Sequence, residues 1–150
     1  MSESPEARTK RKIISAMKNY QPLQLTSFYF DEDDDPELVL KAFPIIRRKI
    51  SAGFIGITLI WWLRVTRFNR QVVPMFQVFS TDILDKKILK KIIDRIDVVV
   101  NLRFKQFNRT KVEIDKWCTT ITNQKLHNLS NVYSKEKIRR FAITNKSLSK

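Results

Sequence analysis

The stretch from Ile55 to Val65 constrains the fold most, because every odd-numbered residue in it is apolar while the even-numbered positions mix apolar, polar and basic residues. A period of two predicts a strand with one face in the core. A buried helix is the alternative. Asn69-Arg70 predicts a turn and Val72–Phe79 the returning strand, with Pro74 at a sheet edge or a bulge. The apolar segment Gly53–Leu63 is shorter than the roughly 20 residues that a membrane-spanning helix needs.

Residues 81–96 show a helical period instead. Their apolar side chains recur every four residues, at Leu84, Ile88, Ile92 and Ile96, and Leu89 and Ile93 flank this row. Four basic residues fall on the opposite side: Lys86, Lys87, Lys90 and Lys91. The pattern predicts an amphipathic helix that Ser80 or Thr81 caps and whose lysines form a basic face.

The N-terminal third predicts two more helices and a strand. Ser4-Pro5 begins a short, basic, marginal helix over 5–19, and the alternation within Tyr20–Phe30 favours a strand. Asp35-Pro36 begins a second helix. That helix should stop before Pro44, which disfavours helical backbone in the preceding residue, and restart over Ile45–Ile50.

A second alternating segment, Val98–Phe107, predicts another hairpin, with a turn at Asn108-Arg109 and a return through Val112 and Ile114. The pattern LRxxxFNRxxV occurs in both predicted hairpins, starting at Leu63 and at Leu102. The repetition indicates either a degenerate duplication or convergence in an Arg- and Asn-rich chain.

The predicted fold class is α+β. It is a single small domain with two β-hairpins (about 54–79 and 98–115), each preceded by a helix, the amphipathic helix 81–96, and short N- and C-terminal helices. Its organisation is a basic segment 1–19, an α+β core 20–122 and a basic polar tail 123–150 with a helix over Val132–Ala142.

Charge is the strongest indication of function. The chain of 150 residues has 29 Lys and Arg against 15 Asp and Glu, a net charge of +14. The acidic loop 31–37 holds six of those acids, so the remainder is more basic still. We interpret that loop as solvated, with Asp35 as a helix cap; Pro36 stands where a calcium loop needs glycine. A field of this sign attracts polyanions.

The two predicted hairpins supply the candidate phosphate-binding site. Basic residues lie on their outward positions and turns, and two phenylalanines lie beside the turns: Arg64, Arg70, Arg103, Lys105, Arg109, Lys111, Phe68 and Phe107. Arginine forks suit phosphates, and aromatic rings beside a basic groove can stack on bases. The alternative is an ordinary charged outer face.

Trp62 suggests a second surface. If Trp61 faces the core, then Trp62 joins Phe54 and Ile60 on the other face of the strand. Left uncovered, such an apolar patch would contact a protein partner or a membrane. The alternative is a helix that covers this face.

Several classes of function lack their residues. Cys118 is the only cysteine and His127 the only histidine, too few for a disulfide scaffold or a zinc site. Two glycines cannot build a phosphate-binding glycine loop. We therefore predict no enzyme activity, no catalytic residues, no metal and no cofactor.

The predicted function is binding of a polyanion, which is RNA, a ribonucleoprotein or an anionic membrane surface. In general composition the chain resembles small matrix-like or nucleic-acid-associated proteins of viruses. The alternative is an accessory interaction protein, such as a viral antagonist of host factors, that binds a protein partner through the Trp62 patch. Self-association is compatible with both. The predicted location is cytoplasmic or nuclear, not secreted, with peripheral membrane association as an alternative.

Overall fold

The computed structural model describes residues 5–30, 36–68, 71–96, 100–106, 111–123 and 141–145. Within these ranges, the side chains of 5, 6, 36, 37, 64–68, 71–74, 100, 123 and 145 lie outside the description.

Helices and strands alternate irregularly along the chain. The elements are α1 (Pro5–Tyr20), β1 (Gln24–Phe30), α2 (Pro36–Gly53), β2 (Thr58–Phe68), β3 (Gln71–Ser80), α3 (Lys86–Asp94), β4 (Val100–Gln106), α4 (Lys111–Asn123) and β5 (Phe141–Asn145). In the part of the chain that the structure describes, no helix combines the length and the apolar character needed to cross a membrane.

The strands form one five-stranded sheet in the order β4-β1-β3-β2-β5, and all neighbours are antiparallel. Both faces of the sheet are covered. Helices α2 and α3 pack on one face, and helices α1 and α4 pack on the other. The predicted α+β class is confirmed.

The first core lies between the sheet and the α2–α3 layer. Trp61 fills its centre, with its ring edge-on to Phe28 and Phe43 at centroid distances of 5.7 and 6.1 Å. Leu89 and Ile93 anchor α3 there, and both are buried. Each fully buried aliphatic or aromatic side chain contributes about 1.5–3 kcal/mol to stability.

The second core lies on the other sheet face, under α1 and α4. Ile13 and Met17 of α1 are fully buried there, beside Ile114 and Ile121 of α4. Helix α1 therefore belongs to the domain core rather than to a separate N-terminal segment, and its stability comes from this packing.

The first predicted hairpin is confirmed. Strands β2 and β3 pair from Leu59↔Ser80 to Phe68↔Gln71. Pro74 is compatible with this sheet because the β1–β3 pairing ends at Phe28↔Phe76. Proline, which has no amide hydrogen to donate, thus lies beyond the residues of β3 that pair with β1.

The second predicted hairpin differs from the structure. Its first strand is present as β4, but the expected return strand is the start of α4. Ile114, Cys118 and Ile121 lie four and three residues apart, so they share one helical face, and all three are buried. Val112, assigned to the core row of a strand, is 78% exposed. The two LRxxxFNRxxV segments therefore differ at the described positions after their turns, where Val72–Val73 is strand and Lys111–Val112 is helix, which removes the support for a duplicated hairpin.

Helix α2 continues through Pro44, where the sequence predicts a break. A proline inside a helix costs about 3 kcal/mol. Phe43, Ile46 and Ile50 flank it and are fully buried in the first core. Their burial, at about 1.5–3 kcal/mol each, exceeds the cost of the proline.

Helix α3 is shorter than predicted because its cap is Asp85, not Ser80 or Thr81. The Asp85 carboxylate accepts hydrogen bonds from the backbone N–H groups of Lys87 (2.9 Å) and Ile88 (3.1 Å). Leu84, Leu89 and Ile93 of the predicted apolar face are buried, whereas Ile88 of that face is 43% exposed.

The C-terminal region contributes a strand that the sequence does not reveal. Strand β5 pairs with β2 from Thr58↔Asn145 to Trp62↔Phe141, so the core extends past residue 122. The predicted helix over 132–142 ends within β5, and its residues 132–140 lie outside the described part of the chain.

Candidate anion-binding surface

Strand β4 presents two of the predicted phosphate-binding residues. Arg103 and Lys105 are exposed and pair with Ser27 and Leu25 of β1, which is the only described neighbour of β4. Both residues therefore occupy an edge of the sheet.

Aromatic rings support both side chains. The Arg103 guanidinium carbon lies 5.3 Å from the centroid of the Tyr29 ring, and Lys105 Nζ lies 5.0 Å from that of Trp117. Cation–π contacts at exposed sites contribute about 0.5–1 kcal/mol each. The contacts orient the two side chains while leaving them accessible to an anion.

The other residues of the predicted site lie on other elements or outside the described residues. Lys111 is exposed at the first residue of α4, and Arg64 and Phe68 lie on β2 with side chains outside the described set. Arg70, Phe107 and Arg109 lie outside the described residues.

The sheet register also separates the two predicted turns. Gln106 pairs with Gln24, Gln24 with Ser80, and Ser80 with Leu59, so the end of β4 is level with the start of β2. Phe68, at the other end of β2, is about 30 Å away along the strand direction. Strands β2 and β4 therefore end, at Phe68 and Gln106, at opposite ends of the sheet. That residues of both predicted hairpins bind phosphate stays a prediction.

The prediction of an exposed apolar patch at Trp62 is wrong. Trp62 is 2% exposed and Ile60 is fully buried, because α1 and α4 cover this face of the sheet. Phe54 is buried in the first core, on the opposite side. Trp62 Nε1 donates a hydrogen bond to Gln77 Oε1 at 2.8 Å, and Gln77 Nε2 donates to Ser27 Oγ at 3.0 Å. These contacts give Trp62 a structural role.

The predicted basic face of α3 is present. Lys86, Lys87, Lys90 and Lys91 are all exposed, and Lys86 Nζ lies 5.1 Å from the centroid of the Phe104 ring. Arg95 extends the face as the residue that caps the C-terminus of α3.

Helix α2 adds cationic side chains that the sequence analysis does not assign to a site. Exposed Lys41, Arg48 and Lys49 lie on the helix that packs against α3. The sequence could have indicated this exposed side, because positions 41, 45, 48 and 52 share one face of an ideal helix, opposite the apolar positions 39, 43, 46 and 50. We call the exposed side of these two helices, together with the loops 54–57 and 81–85 that join them to the sheet, the α2–α3 surface.

A groove of about 490 Å³ runs between the two helices on this surface. Its lining consists of Lys49, Ala52, Gly53, Ile88, Lys91, Ile92 and Arg95. Gly53 permits the close approach, because a β-carbon there would lie 2.9 Å from Ile92 Cδ1 and 3.7 Å from Ile88 Cγ2. The groove thus combines an apolar floor with three cationic side chains, and it could hold a ligand that is both anionic and partly apolar.

Two acidic residues of this region, Asp82 and Asp85, are engaged by backbone groups near the start of α3. Asp85 caps the helix, and Asp82 Oδ1 accepts a hydrogen bond from the Ile83 N–H at 2.8 Å. Asp94 lies in the last turn. None of these three lines the groove, so its charged lining is entirely cationic.

Residues suited to nucleophilic or metal chemistry are sparse. Cys118 is buried on α4, and His127 and the acidic residues 31–35 lie outside the described part of the chain. Among the described residues, no three His, Cys, Asp or Glu side chains are grouped as metal ligands would be. The prediction that the chain has no enzyme activity stays a prediction.

Burial raises the pKa of the Cys118 thiol, an effect that nearby Lys18 partly offsets and Asp115 reinforces. A raised pKa lowers the thiolate fraction at neutral pH, and the thiolate is the reactive form. We expect iodoacetamide to alkylate Cys118 at least about tenfold more slowly in the native protein than in urea, as measured by mass spectrometry. Equal rates in the two states would contradict the buried position of this thiol.

No family model, curated protein or solved structure matches the chain. The function of the α2–α3 surface is therefore inferred from its own residues.

Proposed function

We propose that this protein is a non-enzymatic polyanion-binding protein whose principal binding site is the α2–α3 surface. The classes of polyanion that fit the proposal are nucleic acid, alone or in a ribonucleoprotein, and an anionic membrane surface. The observation that supports it is the packing of two helices that bring Lys49, Lys91 and Arg95 to one groove, with five further exposed lysines and arginines around it: Lys41, Arg48, Lys86, Lys87 and Lys90.

The density of charge favours this surface over the β4 edge. Lysines and arginines that neutralise phosphates release condensed counterions, and the gain grows with the number of contacts. The β4 edge offers Arg103 and Lys105, which can add contacts but form a smaller set. The alternative function, binding a protein partner through Trp62, has lost the exposed patch that it requires.

A pair of matched double variants tests the proposal. Lys87→Glu with Lys90→Glu reverses two charges on α3, and Lys12→Glu with Lys18→Glu reverses two exposed charges on α1, across the sheet. The two proteins have the same net charge, so they differ only in which surface has changed. Binding is measured against a single-stranded RNA oligonucleotide and against phosphatidylserine-containing vesicles at several salt concentrations.

We expect the α3 variant to bind its polyanion at least about tenfold more weakly, with the salt slope for RNA reduced by about 1 for each lost phosphate contact. The α1 variant should retain more of the affinity for the polyanion and more of the salt slope for RNA. Equal losses in the two variants would mean that total charge, not the α2–α3 surface, determines binding. A wild-type protein that binds neither RNA nor anionic vesicles would refute the proposal.

A further inference from the structure

We propose that the polyanion recognised by the α2–α3 surface is an anionic lipid bilayer, and that Ile55, Ile83 and Ile88 enter its interfacial region. This inference rests on the proposed function and specifies its partner. It is carried by apolar side chains that lie beside the cationic ones at one end of α3.

The exposed large apolar side chains of the described residues are concentrated here. The described residues include seven such side chains. Five of the seven lie in α2, in α3 or in the loops beside them: Leu38 (57% exposed), Ile45 (38%), Ile55 (48%), Ile83 (50%) and Ile88 (43%). Single exposed apolar residues are common on soluble proteins. Five of seven on the most cationic helical layer is the arrangement of a membrane-surface element, in which apolar side chains enter the interface and basic ones meet the headgroups.

Ile55 lies at the tip of a tight turn. The Ile57 N–H donates to the Phe54 carbonyl at 3.3 Å, and Gly56 has a φ of 90°, which glycine adopts without steric cost. Phe54 is buried in the first core, so the turn is anchored while its tip, Ile55, projects from the end of α2.

Ile83 lies in a second loop that is tied to the first. The Thr58 N–H donates to Thr81 Oγ1 at 3.0 Å, and the Thr81 N–H donates to the Thr58 carbonyl at 3.2 Å. Gln24 Oε1 holds the same loop from the sheet by accepting the Leu84 N–H at 2.9 Å. The two exposed isoleucines are therefore presented by braced loops, which lowers the entropy lost when they insert.

Ile88 connects these loops to the groove. It lies in the first turn of α3, close to Gly53 of α2, and it lines the groove with Lys49 and Lys91. Lysine and arginine can keep their charged ends at the phosphates while their methylene groups lie along apolar surface. The groove is thus suited to a lipid headgroup at its rim and to the first methylene groups of an acyl chain over its floor.

Nucleic acid is the less favoured partner for this particular surface. Single-stranded nucleic acid is bound by stacking its bases on exposed aromatic side chains. Phe43 of α2 and Phe54 beside it are 0% and 7% exposed, so they cannot stack. Phe104, which lies against Lys86 of α3, is partly buried against the first core. Exposed isoleucines give RNA phosphates no favourable contact.

The test compares a triple variant with a double control variant, both in the full chain. Ile55→Ser, Ile83→Ser and Ile88→Ser together remove the proposed inserting side chains. A control protein with Val112→Ser and Ile143→Ser removes exposed apolar residues from α4 and β5 instead. Thermal unfolding of each protein establishes that it is folded before binding is measured.

Co-sedimentation uses vesicles of phosphatidylcholine with phosphatidylserine, neutral phosphatidylcholine vesicles, and in parallel a single-stranded RNA oligonucleotide. We expect wild type to bind anionic vesicles and to keep part of that binding at high salt, where Coulombic attraction is screened. The triple isoleucine variant should partition to anionic vesicles at least about tenfold more weakly, and the control should match wild type.

The outcomes separate the two proposals. RNA binding without vesicle binding would overturn the membrane inference and leave the proposed function standing, and binding to neither would overturn both. Vesicle binding that the triple variant does not weaken would show that the isoleucines stay outside the lipid. If the triple variant only abolishes self-association in analytical ultracentrifugation, these residues cover a contact between copies of this chain, and the inference fails.

Discussion

Leu89→Asp should unfold the domain. Leu89 is fully buried between α3 and the sheet, so the substitution removes an apolar side chain from the first core and places an unpaired carboxylate there. Losing the apolar contacts costs about 2–5 kcal/mol, and a buried unpaired charge adds several more. The free energy of unfolding of a domain is typically only about 5–15 kcal/mol, so the substitution removes most or all of it.

The neighbouring residue supplies the control. Ile88→Asp introduces the same carboxylate one position earlier in the same helix, where the side chain is 43% exposed and lies in the first turn. A carboxylate near a helix N-terminus is slightly favourable, so we expect a change of less than about 1 kcal/mol. Urea denaturation followed by circular dichroism distinguishes the two. Similar midpoints for both variants would mean that α3 does not pack through Leu89.

The difference between these two residues also shows how far sequence periodicity reaches. The pattern every four residues correctly predicts an amphipathic helix but places Ile88 in its buried stripe. The structure buries Leu89 and Ile93, which flank that row, and leaves Ile88 partly exposed, because the helix starts at Asp85 and Leu84 is already buried in the loop before it. A helix of nine residues has too few turns for its sequence alone to fix which of two adjacent apolar rows faces the core.

Long-range pairing was the least predictable part of the fold. The β2–β3 hairpin follows from a long alternating pattern and a two-residue turn, both local. Strand β4 pairs with β1, between 70 and 82 residues earlier in the chain, and local alternation carries no information about that partner. In α4, two residues of apparent alternation, Val112 and Ile114, suggested a strand. The helical spacing of Ile114, Cys118 and Ile121 was the stronger signal, because it spans two turns.

The candidate site divides in the same way. The lysine face of α3 is a property of one helix, so the sequence contains it. The groove is a property of two helices, since Gly53 and Lys49 come from α2 and Ile88 and Lys91 from α3. Thirty-two residues, 54–85, separate the two helices, and the sequence gives no indication that they pack side by side.

Trp62→Ala should destabilise the protein by about 3–5 kcal/mol, the range for truncating a large buried aromatic side chain. Trp62 is buried in the second core and is hydrogen-bonded to Gln77, which in turn bonds Ser27. The truncation therefore leaves a cavity and removes the donor to Gln77 Oε1. Chemical denaturation measures the loss.

Trp62→Phe separates the two effects, because it keeps much of the volume but loses the indole N–H. Leaving a buried acceptor without its donor costs about 1–3 kcal/mol, and replacing both partners by apolar groups recovers part of that cost. Because Gln77 also donates to Ser27 Oγ, all three polar members must be replaced together, and we expect Trp62→Phe with Gln77→Leu and Ser27→Ala to be more stable than Trp62→Phe alone. Trp62→Phe should bind RNA and anionic vesicles as wild type does, since both partners would meet the opposite side of the sheet. Loss of binding in a folded Trp62→Phe protein, or a Trp62→Ala protein as stable as wild type, would contradict the structural role of Trp62 and support a role in docking a partner.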